Sequence, residues 1–294
     1  MKNIPLPGAK AILMVFISTA LVIASYSQAF TQQYKVKTIV IDAGHGGIDG
    51  STRGIYSTEK DVALKTALNL GKMIEASMPD VKVVYTRKED VFVKLYDRIG
   101  IANVNKADLF ISIHCNDMPV YRSTVVTGYT RNKKGKRVPI TKTVSRKSTS
   151  THGTETFVSG FGRMSEQDNE VIKRENDAIL LEDNYKENYE GFDPSNPENY
   201  IILSLMKNNY REASLNLAKM VQDEYVKAGR INRGVQEKSL AVLARAGMPA
   251  ILTEIGFISN PEEEDYINSD AGQQEICAGL LSAIQRYKKS VERN

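Results

Sequence analysis

Residues 37–47, KTIVIDAGHGG, decide the fold class of this chain of 294 residues. The β-branched run at their start is typical of a buried strand, and the glycines that follow are typical of a turn that leaves a sheet. Further strands are predicted at residues 81–86 and 108–116, and helices at residues 58–78 and 95–103. Strands and helices that alternate at this spacing predict the α/β class, with a mostly parallel twisted sheet flanked by helices.

The second half of the chain continues this pattern after an irregular middle. It contains predicted strands at residues 153–159, 240–244 and 249–257, and predicted helices at residues 204–228 and 265–289. The sequence shows no internal repeat and no linker to a second folded module, so we expect a single domain. In α/β sheets the functional groups lie at the carboxyl ends of the strands, and candidate residues are expected there.

The first 29 residues have the composition of a signal peptide. Lys2 and Lys10 accompany the apolar run 11–24, and small residues surround Ala29, where cleavage is predicted. The run is shorter than the ~20 apolar residues that a membrane-spanning helix needs, and an uncleaved anchor is the alternative. Cleavage lowers the formal net charge from +4 to +2 and leaves residues 30–294 as the folded domain. We therefore expect an exported protein, either periplasmic or associated with the cell wall.

Four side chains that can carry chemistry lie at the ends of separate predicted elements. His45 and His114 follow strands, Glu59 begins a helix, and Glu254 lies near the end of residues 249–257. Two imidazoles and a carboxylate form a common ligand set for catalytic zinc, and a second carboxylate can then transfer the proton of a water molecule.

Each of these residues also has an ordinary structural interpretation. His45 fits a surface turn, His114 fits a core histidine with satisfied hydrogen bonds, and Glu59 fits the first turn of a helix, where the helix dipole favours an acid. Glu254 follows an apolar run, where a carboxylate is costly to bury unless it is paired or bound to a metal. Residue spacing alone leaves these alternatives open.

Six blocks of sequence, in order, resemble the zinc-dependent N-acetylmuramoyl-L-alanine amidases. They are DAGHGG at 42–47, EKD at 59–61, TR at 86–87, LYDR at 95–98, SIHCN at 112–116 and PAILTEIGFISN at 249–260. The resemblance implies one Zn²⁺ per chain, held by His45, Glu59 and His114, with Glu254 as the catalytic carboxylate. The implied reaction is hydrolysis of the amide between N-acetylmuramic acid and L-alanine in peptidoglycan.

The middle of the chain is longer than in the simplest amidases of this family. Amidases of Gram-negative cell division carry a comparable insertion, a helix that plugs the active site until an activator protein withdraws it. We therefore expect residues 160–203 to be a regulatory insertion used in cell separation or wall turnover, with a helix near residues 169–182. Glu175 or Glu182 is the candidate plug carboxylate, and the resemblance implies a LytM-type activator. The alternative is a solvated surface helix.

A basic segment at residues 122–150 forms the other departure from the simplest pattern. It carries nine Lys and Arg residues between Arg122 and Lys147 and no acid, and we expect it to leave the sheet. An anionic wall polymer, lipid headgroups or a protein partner could bind there, and a mobile solvated loop is the alternative. Nucleic acid is an implausible partner for an exported protein.

The remaining expectations concern single residues and competing functions. Arg98 is expected to be structural and to pair with Asp90 or Asp97, and His152 is expected to lie in a loop without a metal-binding role. The chain is expected to be a monomer. One competing function is a different zinc hydrolase acting on wall peptides, and another is a wall-binding regulatory protein that has lost catalysis.

Overall fold

The computed structural model describes residues 34–160, 166–189 and 210–292. The predicted signal peptide lies outside the described residues, as do parts of the predicted regulatory insertion. The chain divides into two units: one is Val36–Lys289, and the other combines Met1–Lys35 with Ser290–Asn294. Every strand described below belongs to the first unit.

In the described residues, eight strands form two separate sheets. Their bounds are β1 Thr38–Ala43, β2 Lys82–Tyr85, β3 Leu109–Asn116, β4 Val120–Arg131, β5 Arg137–Lys147, β6 Thr154–Ser159, β7 Asn232–Lys238 and β8 Ala250–Phe257. The main sheet has six strands in the order β2-β1-β3-β8-β6-β7, and β4 with β5 form a two-stranded sheet. All neighbours in the main sheet are parallel except β6 and β8, which are antiparallel.

Helices cover this sheet. They are α1 Glu59–Ser77, α2 Leu95–Val104, α3 Glu166–Asn176, α4 Tyr185–Asn188, α5 Arg211–Lys227, α6 Ala241–Ala244, α7 Pro261–Asn268 and α8 Asp270–Val291, with a 3₁₀ helix at Asp177–Leu181. Within the described residues, no helix combines the length and the apolar character that crossing a bilayer requires.

Both faces of the main sheet are buried under helices. On one face Thr253 of β8 meets the Tyr225 hydroxyl of α5 at 3.0 Å. On the other face its neighbour Leu252 belongs to a core cluster that includes Ile99 of α2 and Leu243 of α6. All residues of β3 and β8 are buried, as is usual for central parallel strands between two helical layers. The predicted α/β class and the mostly parallel sheet are therefore confirmed.

The strand register brings the candidate residues to one edge of the sheet. β3 lies between β1 and β8 and is parallel to both, so the three carboxyl ends meet. In this register Ala43 is opposite Ile113, and His114 is opposite Glu254. The end of β1, which leads to His45, thus lies directly beside β3, the strand that carries His114.

Three predictions about elements in the second half were wrong. Leu240–Ala244 was predicted to be a strand, but Ala241–Ala244 forms the short helix α6, since a brief apolar run fits either a strand or a buried helix. Strand β7 was not predicted because the edge sequence NRGVQEK lacks an apolar pattern. The predicted final helix is two helices separated at Ser269, which has extended backbone angles.

The basic segment forms a long hairpin rather than an irregular loop. β4 and β5 pair antiparallel from Val120 opposite Lys147 to Arg131 opposite Arg137, with a register shift between Val126 and Gly128. Nearly all residues of both strands are exposed. The predicted departure from the main sheet is confirmed.

Candidate active site

The turn after β1 presents His45 in a left-handed conformation, with φ of 56°. A Cβ on Gly44 would lie 2.5 Å from the His114 ring, so only glycine allows the two elements to approach this closely. Gly46, with φ of 126°, takes a conformation that side chains disfavour. Arg87 Nη2 donates to the Gly44 carbonyl at 2.7 Å and holds the turn against the sheet.

A buried arginine holds the other side of this turn. Arg98 Nη2 donates to the His45 carbonyl at 2.6 Å, and Nη1 donates to Asp42 Oδ1 at 2.9 Å. Arg98 is thus structural, as predicted, but the predicted pairing with Asp90 or Asp97 was wrong. Asp42 lies on the same face of β1 as Val40, which packs in the core cluster with Ile99 of α2, and a charge buried there requires a partner.

Glu59, the first residue of α1, lies between the two histidines. Its Oε1 is 3.1 Å from His45 Nε2 and 3.1 Å from His114 Nδ1. The Cys115 backbone N–H donates to the same oxygen at 3.0 Å, and the Thr52 N–H donates to Oε2 at 3.0 Å. The carboxylate is fully buried and fixed by the backbone on both sides.

Helix α3 brings a fourth group into this cluster. Glu175 Oε2 lies 2.9 Å from His114 Nδ1 and 3.5 Å from His45 Nε2. Ligand atoms of His45, Glu59, His114 and Glu175 all lie within 4.8 Å of one another, and all four residues are buried. Of the two predicted plug carboxylates, only Glu175 is present here.

Glu182 lies away from this cluster. Its Oε1 accepts hydrogen bonds from the Leu95 backbone N–H at 2.7 Å and from the Tyr189 hydroxyl at 3.0 Å. Burial raises the pKa of Glu182, although the hydrogen bond from Tyr189 partly opposes this. The carboxylate satisfies the first N–H of α2, so its role is structural and the prediction of Glu182 as a plug residue is not supported.

Charges in the cluster shift one another's pKa values strongly. Burial by itself would lower the pKa of His114, but the Glu175 carboxylate outweighs it and raises this pKa to about 9. Burial opposes the charge on His45 too, and Glu59 raises its pKa well above the usual value. For Glu175, burial is outweighed by His114 and Arg174, and its pKa falls well below the usual value. Two buried carboxylates thus require positive charge between the two imidazoles.

A divalent metal ion meets this requirement as well as protons do. Within the described residues, neither His45 Nε2 nor Glu175 Oε2 makes a well-aligned hydrogen bond, although each lies within 3.5 Å of an oppositely charged group of the cluster. Asp49 Oδ2 lies 2.8 Å from His45 Nδ1, which leaves Nε2 as the ring nitrogen available to a metal ion. Nitrogen and carboxylate ligands in this number suit zinc, so the residues present fit that ion.

Glu254 lies beside this cluster at the end of β8 and is fully buried. Among the residues that the structure describes, its Oε2 has no hydrogen-bond partner, while its Oε1 lies 3.4 Å from Arg174 Nη2. Burial and the nearby Glu175 carboxylate raise the pKa of Glu254 well above its usual value. A buried carboxyl group with a raised pKa is suited to general acid and base chemistry.

Arg174 connects helix α3 to this carboxylate. Its Nε donates to Glu175 Oε1 at 2.8 Å, and its Nη2 donates to Asn116 Oδ1 at 3.2 Å. The neighbouring Asn176 is fully buried and fixes the end of α3, because its side chain donates to the Ser239 carbonyl and accepts from the Ala241 N–H. Helix α3 therefore contacts both the cluster around His45, Glu59 and His114 and the Glu254 carboxylate.

A cavity of about 270 Å³ adjoins Arg174. Its lining includes Asn116, Met118, Glu155, Arg174, Arg233 and Phe257. Arg233 Nε donates to Glu155 Oε1 at 2.6 Å, and Asn116 Nδ2 donates to the other oxygen at 3.3 Å. Because Arg174 lines the cavity and also contacts Glu254, the cavity leads towards the Glu254 carboxylate.

Sequence reasoning missed several residues that contact the candidate site. Asp49 follows His45 by four residues in the same turn, and this spacing was its only signal. Arg174 precedes Glu175 directly, but nothing in the sequence indicated its contact with Glu254. Glu155 of β6 lies opposite Glu254 of β8 in the strand register, and sequence spacing does not show this. His152 is exposed in a loop, as predicted, and its Nδ1 lies 2.7 Å from the Ser150 carbonyl.

Comparison with known proteins agrees with this geometry. The family model described as N-acetylmuramoyl-L-alanine amidase matches residues 39–286. Amidase AmiC of Escherichia coli O6:H1 is 28% identical over 251 residues, which are 85% of this chain and 52% of that protein. Amidase AmiA of Escherichia coli K12 is 27% identical over 254 residues, covering 85% of this chain and 76% of that protein.

A solved structure has the same fold. The crystal structure of N-acetylmuramoyl-L-alanine amidase from Clostridium difficile 630 aligns with a TM-score of 0.58 and 25% sequence identity, covering 87% of this chain and 99% of that one. This chain spans about half the length of the AmiC protein that it matches, 52%. Because the family model covers most of the chain, the protein belongs to the N-acetylmuramoyl-L-alanine amidase family.

Proposed function

We propose that this protein is a zinc-dependent hydrolase that cleaves the amide between N-acetylmuramic acid and L-alanine in peptidoglycan. The observation that carries this proposal is the buried group His45, Glu59, His114 and Glu175 beside the unpaired Glu254 Oε2. His45, Glu59 and His114 are the three ligands from the main body of the domain. A zinc ion held by them would supply Lewis acidity towards the amide carbonyl and would lower the pKa of a bound water molecule to about 7.

The chain's own residues then move the protons. Glu254 Oε2 accepts a proton from the attacking water and passes it to the departing amine of L-alanine. The high pKa of Glu254 suits it to hold this proton between the two steps. Asp49 orients His45 through Nδ1, and Glu59 is held by two backbone N–H groups. The cavity beside Arg174 is the candidate position for the substrate chain.

Helix α3 inhibits the enzyme in this arrangement. Glu175 takes the ligand position that a water needs, and Arg174 contacts the oxygen of Glu254 next to its free one. Ile172 and Ile179 are buried in the core cluster on either side of this pair, which stabilises the closed state. These contacts support the proposed autoinhibition over a solvated surface helix.

A closed site of this kind requires a partner that withdraws α3. We assign this role to an activator protein, of the LytM type by family resemblance. Export to the periplasm or cell wall with removal of residues 1–29, a monomeric state, and a role in cell separation or wall turnover complete the proposal. An unregulated wall hydrolase would lyse its own cell, which is the physiological reason for such a plug.

Digestion of purified peptidoglycan by the full chain tests this function. The chain is incubated with and without a chelator, and the products are identified by mass spectrometry. The expected product is a stem peptide with a free L-alanine amine, and zinc should restore its release after chelation. Because α3 closes the site, the same assay includes Glu175→Ala.

Three further variants assign the roles. His45→Ala should lose bound zinc and activity together, whereas the matched histidine variant His152→Ala should keep both. Glu254→Gln should keep zinc and lose activity by about 10²-fold or more. Cleavage within the stem peptide would instead identify a different zinc hydrolase. Zinc binding without cleavage by any of these chains would favour a regulatory protein.

A further inference from the structure

We infer that the hairpin formed by β4 and β5, residues 120–147 and here called the basic hairpin, is an arm that binds the peptidoglycan polymer through the carboxylates of its stem peptides. This inference rests on the proposed function, because it names how the substrate of that site is held.

The basic hairpin has the shape of an extended arm. β4 has 12 residues, and at about 3.4 Å per residue it extends for about 40 Å. No described part of the chain covers either face, since the hairpin residues are almost all exposed, including Tyr121, Tyr129 and Ile140. A two-stranded hairpin is marginally stable alone, so a long exposed one is a costly feature without a binding role.

Positive charge runs along the whole arm. Arg122, Arg146 and Lys147 lie near its base, Lys142 lies in the middle, and the other five cations lie at or beside the turn at residues 132–136. Within the described residues, ion pairs reach these cations only at the base, from Glu170 to Arg122 and from Asp117 to Lys147. The cations further out are available to an external anion.

The base of the arm leads directly into the candidate active site. Strand β3, which carries His114, is followed by Met118, Pro119 and Val120, and all three line the cavity beside Arg174. A polymer lying along the basic hairpin therefore enters the cavity next to Glu254. Exposed tyrosines add flat, amphipathic surfaces of the kind that contact sugar rings, and Arg137 lies over the Tyr129 ring at 3.8 Å.

The distribution of residues favours an extended anionic polymer over a membrane. The turn at residues 132–136, NKKGK, contains no apolar side chain that could enter a bilayer. The cations lie on both faces and over the full length, whereas a flat lipid surface would select one face. Peptidoglycan offers sugar rings and peptide carboxylates at repeated intervals, which matches a row of cations with interspersed tyrosines.

Co-sedimentation with insoluble peptidoglycan tests this inference. The full chain carries Glu254→Gln, so that the polymer is not cut during the measurement. The test variant adds Lys133→Gln, Lys134→Gln and Lys136→Gln at the turn. The matched control adds Lys72→Gln, Lys219→Gln and Lys289→Gln, which are exposed on helices and change the net charge equally. The turn variant should bind at least about tenfold more weakly, and the control should bind normally.

Two further arms identify the recognised group. Peptidoglycan whose carboxylates have been converted to amides should bind the parent chain as weakly as native polymer binds the turn variant, and added salt should weaken native binding. Equal binding by the turn variant and the control, or undiminished binding to the amidated polymer, would overturn the inference. Binding to phosphatidylglycerol vesicles but not to peptidoglycan would overturn it in favour of a membrane.

These results are separable from the proposed function. Sedimentation measures binding with no reaction, whereas hydrolysis of a small soluble muropeptide by Glu175→Ala measures the chemistry. Absence of hydrolysis with intact, charge-dependent sedimentation would refute the amidase proposal alone. If the muropeptide is hydrolysed but co-sedimentation with peptidoglycan does not depend on the hairpin lysines, only the proposed role of the basic hairpin would be refuted.

Discussion

Glu175 Oε2 on helix α3 lies 2.9 Å from Nδ1 of His114 at the end of strand β3. The same helix directs Arg174 to Glu254, so one short segment contacts both halves of the candidate catalytic machinery. The adjacent Arg174 and Glu175 carry opposite charges. Glu175 faces the two imidazoles, and Arg174 faces the Glu254 carboxylate. The closed state that we propose would therefore depend on electrostatic pairing as well as on shape.

Removing the Glu175 carboxylate should activate the enzyme. Glu175→Ala vacates a ligand position while leaving the buried Ile172 and Ile179 in the core, so basal hydrolysis of a soluble muropeptide should rise roughly tenfold or more. Glu187→Ala, an exposed carboxylate on α4, is the matched control and should leave the rate unchanged. Lower activity in Glu175→Ala than in this control would show that Glu175 supports catalysis instead of blocking it.

Asp49 should matter for metal binding without being a ligand. Asp49→Asn weakens the acceptor that orients His45 through Nδ1, and outer-sphere changes of this kind typically lower metal affinity about 10- to 100-fold. Competition with a chromophoric chelator measures the zinc affinity. Asp223→Asn, an exposed change on α5, should keep the original affinity. An unchanged affinity in Asp49→Asn would mean that His45 is positioned by its turn alone.

Replacing the buried Arg98 should lower the stability of the fold strongly. Arg98→Met leaves Asp42 as a buried unpaired charge and removes a donor to the His45 carbonyl, which should lower the free energy of unfolding by about 3–5 kcal/mol. Urea denaturation followed by circular dichroism gives this value. The control Arg286→Met breaks half-exposed ion pairs and should cost less than about 1 kcal/mol. Similar losses in both variants would contradict the assigned role of Arg98.

The metal-free protein should lose stability as the pH rises above neutrality. Folding raises the pKa of His114 from 6.5 to about 9 and raises that of His45 in the same direction. A raised pKa favours folding while the group is protonated in both states, so this contribution is complete below pH 6.5 and disappears towards pH 9. The lowered pKa values of Glu59 and Glu175 matter only in acid.

Melting temperatures in the presence of a chelator measure this effect. They should fall between pH 6.5 and pH 9 in the original chain. The fall should be smaller in Glu175→Ala, because the carboxylate that raises the pKa of His114 is gone. A flat or rising melting temperature over this range would show that the imidazoles are neutral in the metal-free protein.

Local sequence patterns were sufficient for the elements that hold His45, Glu59 and His114. Each lies where a strand or helix begins or ends, and apolar periodicity marks those points. The same reasoning failed for Leu240–Ala244, because five apolar residues are too few to distinguish a strand from a buried turn of helix. It also failed for the partner of Arg98, since Asp42 is distant in sequence and adjacent only through packing of α2 on β1.

The sequence by itself determined the α/β class, the family resemblance, and which four residues could carry zinc chemistry, because those properties follow from residue type and local spacing. Only the tertiary structure showed which of the two candidate carboxylates lies near the histidines. Glu175 reaches them from helix α3, whereas Glu182 accepts a hydrogen bond from the Leu95 N–H. The tertiary structure also revealed the contact between Arg174 and Glu254, and it showed that the basic segment forms an exposed hairpin. These relationships are contacts between distant parts of the chain, and folding alone brings such parts together.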